Sequence, residues 1–358
     1  MEIVKKQVFS ENSTRKIFLF SNLGISFGIL LITVGGGWDI TNHLLNKPET
    51  FFSLPHALLY SGVAIALIGT VLMFTRWLKF TEEKKSRYRF PVKIAIVGIF
   101  VLVGAGPIDF LWHSNFGLDG LLSPPHQTLL SGMFLCAIAS MISILRYGQA
   151  HTAKSYSIHH FTIVLAMLPV WLVASGFLYS FSLPFSNTDY FDFNPEVYFA
   201  VVFATISMPF LTSAILILTS QLANYKFGIL SITGIILLII NASNSIMPNP
   251  ALVDTIPFYF LTVIPFLAAD LILSTTQRRA AIYASGAIVA SSFYFLYFPL
   301  VTHAYNEVIF HRVVSGSVTS NVYFEMMPVV FPIIIGPAIV LGVIGAIFAH
   351  KVFEKIHA

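Results

Sequence analysis

The sequence predicts an all-α, polytopic membrane bundle of about ten transmembrane helices arranged as five hairpins. Three observations predict it. Of 358 residues, 56% are hydrophobic and only 10% are charged, with a mean hydropathy of +0.81; a soluble domain carries about 25% charged residues. Apolar runs long enough to span a bilayer, about 20 residues, begin near Ile17, Pro55, Val92, Pro125, Ile158, Pro195, Phe227, Pro257, Ala280 and Pro328. Polar turns recur near residues 45, 115, 185, 250 and 315, a period of 65 to 70, as expected of an internally repeated membrane fold.

The first helix follows Lys5, Lys6, Arg15 and Lys16 and ends in GGGW before Asp39. That is a poor signal-cleavage site, so the helix is expected to stay attached. The second and fourth helices open on Pro55 and Pro125, where proline suits a first helical turn, with Ser53 and Ser123 in front as caps. Residues 1–145 form a duplicated pair of hairpins, and 146–358 hold further hairpins without a clear metal motif. His151, His159 and His160 read as a loop on the basic side, and the sole cysteine, Cys136, as a small packed hydrophobe. One cysteine excludes an intrachain disulfide or a thiolate cluster. The net charge of +4 is spread over short loops and does not point to nucleic acid.

Eighteen of the 20 Lys and Arg lie at the termini and in every second loop, leaving only Lys47 and Arg312 on the opposite side. By the positive-inside rule the protein is a multi-pass cell-membrane protein with both termini cytoplasmic. The opposite, acidic side carries two copies of one pattern. Residues 36–62 align without a gap on 106–132, nine of 27 positions being identical. Asp39 falls on Asp109, His43 on His113 and His56 on His126.

The Asp-x3-His-x12-His spacing places two side chains on one face at the end of an outgoing helix, and one at the start of the returning helix. A carboxylate at a helix C-terminus is disfavoured by the macrodipole, and a histidine near an N-terminus is pushed toward its neutral, metal-binding form. A bound cation offsets both penalties. Two imidazoles and a carboxylate suit copper, zinc, iron or nickel. Three protein ligands leave a coordination position open, as in a reactive site. The fifth hairpin has His303, Glu307 and His311 at i, i+4 and i+8; this stripe reads as a solvated helix face.

Asp109, Trp112, His113, Pro125 and His126 in DFLWHSNFGLDGLLSPPH, with Asp39, His43 and His56 at the same spacing, resemble the copper motif of the C subunit of the particulate methane and ammonia monooxygenases. The resemblance covers roughly residues 20 to 145. It implies copper, with zinc the alternative, and the oxidation of a small substrate at the outer edge of the membrane. The family has Asn in place of Asp in its second site, where this chain has Asp109 in a loop one residue shorter. The partners implied are the lipid bilayer and either other membrane subunits or further copies of this chain; no nucleic acid is expected. Three other readings stand beside it: a copper or zinc binding or transport protein, with the acidic outer loops as a funnel, against which it weighs that Asp270 is the one clear polar candidate in the cytoplasmic half of a helix; a zinc-dependent membrane hydrolase using Glu307 or Glu325 as base; and a structural subunit with vestigial sites.

Overall fold

Backbone amides inside a bilayer find no water, so an apolar segment closes its hydrogen bonds within a helix. A computed structural model describes residues 2–45, 47, 53–117, 120–149, 156–182, 195–297, 325 and 327–357, and no strand occurs among them. The helices are α1 (Glu2–Leu44), α2 (Leu54–Trp77), α3 (Glu82–Phe116), α4 (Pro124–Gln149), α5 (Tyr156–Ser182), α6 (Val197–Leu222), α7 (Ile229–Ile246), α8 (Ile256–Tyr259), α9 (Val263–Thr275), α10 (Arg279–Ser292) and α11 (Met327–His357). Among the described residues, nine helical segments are long and apolar enough to cross a membrane, α8 and α9 counting as one. The chain is therefore a multi-pass, all-helical membrane protein. His303, Glu307 and His311 lie outside the described residues, as does His151.

Eight of the ten predicted starts fall within two residues of an observed helix start; α1 and α3 begin earlier. The reason is visible in α3. Its leader EEKKSRYRF is too polar to count as membrane-spanning, yet Glu, Lys and Arg are good helix formers. Glu82 and Glu83 occupy the positive end of the helix dipole, and Lys85 donates to Glu82 at 2.8 Å. The eighth predicted helix is interrupted. A 3-10 turn, Phe260–Thr262, separates α8 from α9, because Pro265 has no N–H to return to the Leu261 carbonyl. His160, expected in a loop, lies instead in α5 and is 7% exposed. The helix starts at Tyr156, just ahead of the apolar run.

The chain divides into two compact units. The first comprises Met1–Thr33, Ala57–Gly117 and Pro124–Val173; the second comprises Val34–His56, Leu118–Ser123 and Ala174–Ala358. Within the first, the repeat extends to packing. A Cβ on Gly28 would lie 2.9 Å from the Ala66 nitrogen, and one on Gly98 would lie 2.9 Å from the Cys136 nitrogen. Gly62 meets the Ile32 nitrogen in the same way at 2.8 Å, and Gly132 the Leu102 nitrogen at 2.6 Å. Gly98, Cys136, Gly132 and Leu102 each sit 70 positions after Gly28, Ala66, Gly62 and Ile32. Cys136, fully buried, thus fills the place of Ala66 at a close helix approach. The hairpins are neighbours: the Ser26 and Ser140 hydroxyls are 2.8 Å apart.

In the second unit, α6, α10 and α11 approach closely, the Ser213 hydroxyl donating to the Gly342 carbonyl at 2.6 Å. Asp270, on α9, is fully buried. Its Oδ2 accepts from the backbone N–H groups of Gly228 and Ser231, each at 3.0 Å, and from the Ser231 hydroxyl at 2.8 Å. These are groups a helix start leaves unbonded. Asp270 caps α7 from a neighbouring helix.

Candidate metal centres

α1 ends at Leu44 and α3 at Phe116, so Asp39 with His43, and Asp109 with His113, stand about one turn apart at helix C-termini. α2 starts at Leu54 and α4 at Pro124, which makes His56 and His126 the third residue of each returning helix. Pro55 sits second in α2, and Pro124 and Pro125 first and second in α4, where missing N–H groups cost nothing. The expected Ser53 cap does not form: its hydroxyl is buried without a hydrogen bond. Pro55 has removed one of the two backbone donors that a capping serine serves.

Both motifs close into clusters. In each, one ligand atom per residue lies within 4.8 Å of the other two. The first site belongs to the second unit and the second site to the first unit. In the first site, Asp39 Oδ1 is 2.8 Å from His56 Nε2 and 3.8 Å from His43 Nε2. In the second, Asp109 Oδ1 is 3.4 Å from His113 Nε2 and 3.6 Å from His126 Nε2. Tetrahedral bonds of about 2.0–2.2 Å set neighbouring donor atoms about 3.3–3.6 Å apart. The two edges from Asp109 in the second site have that spacing; the first site is drawn in on its His56 edge. Both groups could hold a metal ion.

Burial follows a different order. The side chain of Asp39 is 15% exposed and that of Asp109 is 37% exposed, while His126, at 13%, is the most enclosed of the four imidazoles in the two sites. Asp39 Oδ1 is shut off from solvent and accepts no hydrogen bond, although His56 Nε2 stands 2.8 Å away. A buried carboxylate oxygen in that state is costly unless a cation faces it.

Each site has its own support. α3 ends on Gly117, whose φ of 79° and ψ of −166° lie where side chains other than hydrogen are strained. The Gly117 N–H donates to the His113 carbonyl at 3.1 Å, and His113 Nδ1 is 2.8 Å from the Gly117 carbonyl. A carbonyl only accepts, so Nδ1 carries the proton, and Nε2 is the atom turned toward Asp109. An outer hydrogen bond of this kind is the one that fixes the orientation and tautomer of an imidazole able to hold a metal.

The position equivalent to Gly117 in the first site is Lys47, and its ammonium donates to the Pro248 carbonyl. The same segment reaches α1 on the other side of Asp39. With its amide nitrogen turned toward the carbonyls, Asn244 donates to Val34 O and Ile240 O, each at 3.2 Å. Its side chain fills the space a Cβ on Gly37 would need. The end of α7 therefore grips α1 before and after the Asp39–His43 turn. Sequence reading did not identify Gly37, Gly117 or Asn244. The glycine run at 35–37 and the glycine just past α3 were the available signals; nothing local marks Asn244.

No family model matches the chain, and neither a curated protein nor a solved structure matches it.

Proposed function

We propose that this chain is a membrane copper protein that holds one ion in each Asp/His/His group. We further propose that it serves, like the monooxygenase membrane subunit it resembles, in the oxidation of a small substrate. The observation that carries this reading is the duplication. The same three donor types converge twice, at the same two spacings, at the membrane ends of two hairpins. Ionisable groups at that depth are costly and mark function. Asp39, His43 and His56 hold one ion; Asp109, His113 and His126 hold the other. Copper bound there would supply one-electron redox chemistry. The carboxylates offset the charge, the Gly117 carbonyl keeps His113 Nε2 turned inward, and three ligands leave one position for substrate or water.

The charge asymmetry supports an outward-facing placement of both sites, with the termini cytoplasmic. Asp270 has an evident structural task as the cap of α7, which weighs further against a transport reading. Zinc, binding or hydrolysis remain the rival chemistry. Elemental analysis of gently purified protein, followed by electron paramagnetic resonance, separates them. The proposal expects copper with two nitrogen ligands at each site. Retained zinc that is silent to redox titration would favour hydrolysis or metal handling. Absence of any metal after reconstitution with copper or zinc would leave hydrogen-bonded Asp/His pairs and nothing more.

A further inference from the structure

We propose, on the reading that the first Asp/His/His group holds copper, that α7 couples this group to the turn at the helix's far end, so that ordering one stabilises the other. α7 is a single helix of 18 residues. One end holds the metal-site segment of α1, and the other is held by a buried carboxylate. Both ends, α1 from Val34 onward and Asp270 lie in the second unit.

At the C-terminal end, the Asn244 amide donates to the Val34 and Ile240 carbonyls at 3.2 Å and fills the space beside Gly37. Just past α7, the Pro248 carbonyl accepts from the Lys47 ammonium. The Asp39–His43 turn is thus pinned before and behind by one helix end. Asp39 Oδ1 is buried and accepts no hydrogen bond. A cation facing it removes that cost and favours a single arrangement of the last turn of α1. Through Asn244 and Pro248, the same arrangement fixes the end of α7.

At the N-terminal end, Gly228 has no side chain with which to cap the helix. Asp270 Oδ2 does so instead, accepting from the Gly228 and Ser231 N–H groups at 3.0 Å and from the Ser231 hydroxyl at 2.8 Å. The turn ahead of it is strained: Asn224 and Tyr225 have φ of 51° and 56°, a region that residues with side chains enter at a cost. Such strain persists only where its surroundings hold it, so the turn is the part that opens first when the cap loosens.

Between the two ends α7 acts as a strut. Gly228 and Asn244 are 16 residues apart, or about 24 Å at the rise of an α-helix. Phe266, one turn before Asp270 on α9, occupies the space a Cβ on Gly234 would need. A close-packed helix transmits a displacement instead of absorbing it. Coupling between two binding or ordering events is reciprocal. The second Asp/His/His group takes its orienting carbonyl from Gly117 of its own hairpin and serves as the internal control.

Hydrogen–deuterium exchange of the full chain in detergent, with and without copper, reads the far end directly. Copper should slow exchange of the Gly228 and Ser231 amides about fivefold, at the lower end of typical couplings between sites. That slowing should appear in wild type and in Asp109→Ala, and be absent in Asp39→Ala. Asn244→Ala, loaded to the same copper content, should lose it. In the reverse direction, Asp270→Ala should weaken copper binding about fivefold in the Asp109→Ala protein and leave it unchanged in the Asp39→Ala protein. Asp270→Asn keeps an accepting oxygen and should restore it. If Asp270→Ala does not fold, exchange in the wild type decides alone. Copper bound at the first group with unchanged exchange at Gly228 and Ser231 overturns the coupling and leaves the copper reading standing. Equal weakening of both groups by Asp270→Ala overturns it as well, since Asp270 would then support the fold in general. Absence of copper from the Asp109→Ala protein overturns both the coupling and the reading beneath it.

Discussion

The two Asp/His/His sites share their ligand types, spacing and helix ends, yet they are built to different tolerances. In the second site the carboxylate oxygen is 3.4 and 3.6 Å from its two imidazole nitrogens. Its orienting group, Gly117, comes from the same hairpin. In the first the distances split to 2.8 and 3.8 Å, and the supports, Asn244 and the Pro248 carbonyl, come from a helix end some 200 residues away. The duplicated motif supplies donors; what surrounds it differs between copies. The second site is locally complete and more exposed at its aspartate, whereas the first depends on long-range packing and is more enclosed there.

The largest effects should come from the ligands themselves. With the other site silenced by Asp109→Ala, His56→Ala should lower copper affinity at the first site more than a hundredfold, beyond the 10–100-fold typical of outer-shell changes. His126→Ala in an Asp39→Ala background should do the same to the second. Competition titration with a chelator measures both. Unequal losses would sharpen the comparison; a loss in the site that keeps all its ligands would break it.

Next comes the support that is not shared. Asn244→Ala should weaken the first site by about tenfold, as an outer-shell loss does, and leave the second unchanged. Gly37→Ala should produce a similar loss by driving α1 off the same amide. Adding it to Asn244→Ala should cost little more, because the overlapping group has gone. Electron paramagnetic resonance of each single-site protein would register the change in ligand geometry. Additive losses would mean that the two residues do not act through one contact.

Smaller still is Gly117→Ala. The strain at this backbone conformation costs about 1–3 kcal/mol. Part of that should appear as a shift of His113 and a few-fold weaker second site, with the first site unaltered. Isothermal titration of the Asp39→Ala and Asp109→Ala proteins, each carrying the change, is the check. Loss confined to the first site would reverse the assignment of supports.

How much of this was legible follows from the range of each interaction. The helices were, because lipid forces apolar runs to close their own hydrogen bonds. The clustering of Asp39, His43 and His56 was too, since i, i+4 and a short hairpin fix it locally. The early start of α3 was hidden, because hydropathy registers the lipid-facing stretch and not the charged turn before it. The break at Pro265 was written in the sequence as a missing N–H. The matched approaches of Gly28 to Ala66 and of Gly98 to Cys136 carry the same 70-residue offset as the motif. They could have been read by extending the alignment upstream and downstream. Asn244 could not, because its role arises only when α7 meets α1.

The central claim is that each copy of the motif is a separate metal centre, and a count of ions tests it most directly. Copper per chain should be measured by elemental analysis in the wild type, in Asp39→Ala and in Asp109→Ala after identical loading. The account predicts two ions, then one and one, the survivor in each variant keeping its own spectrum. One ion in the wild type and none in either variant would mean a single centre shared by both hairpins, and would contradict it.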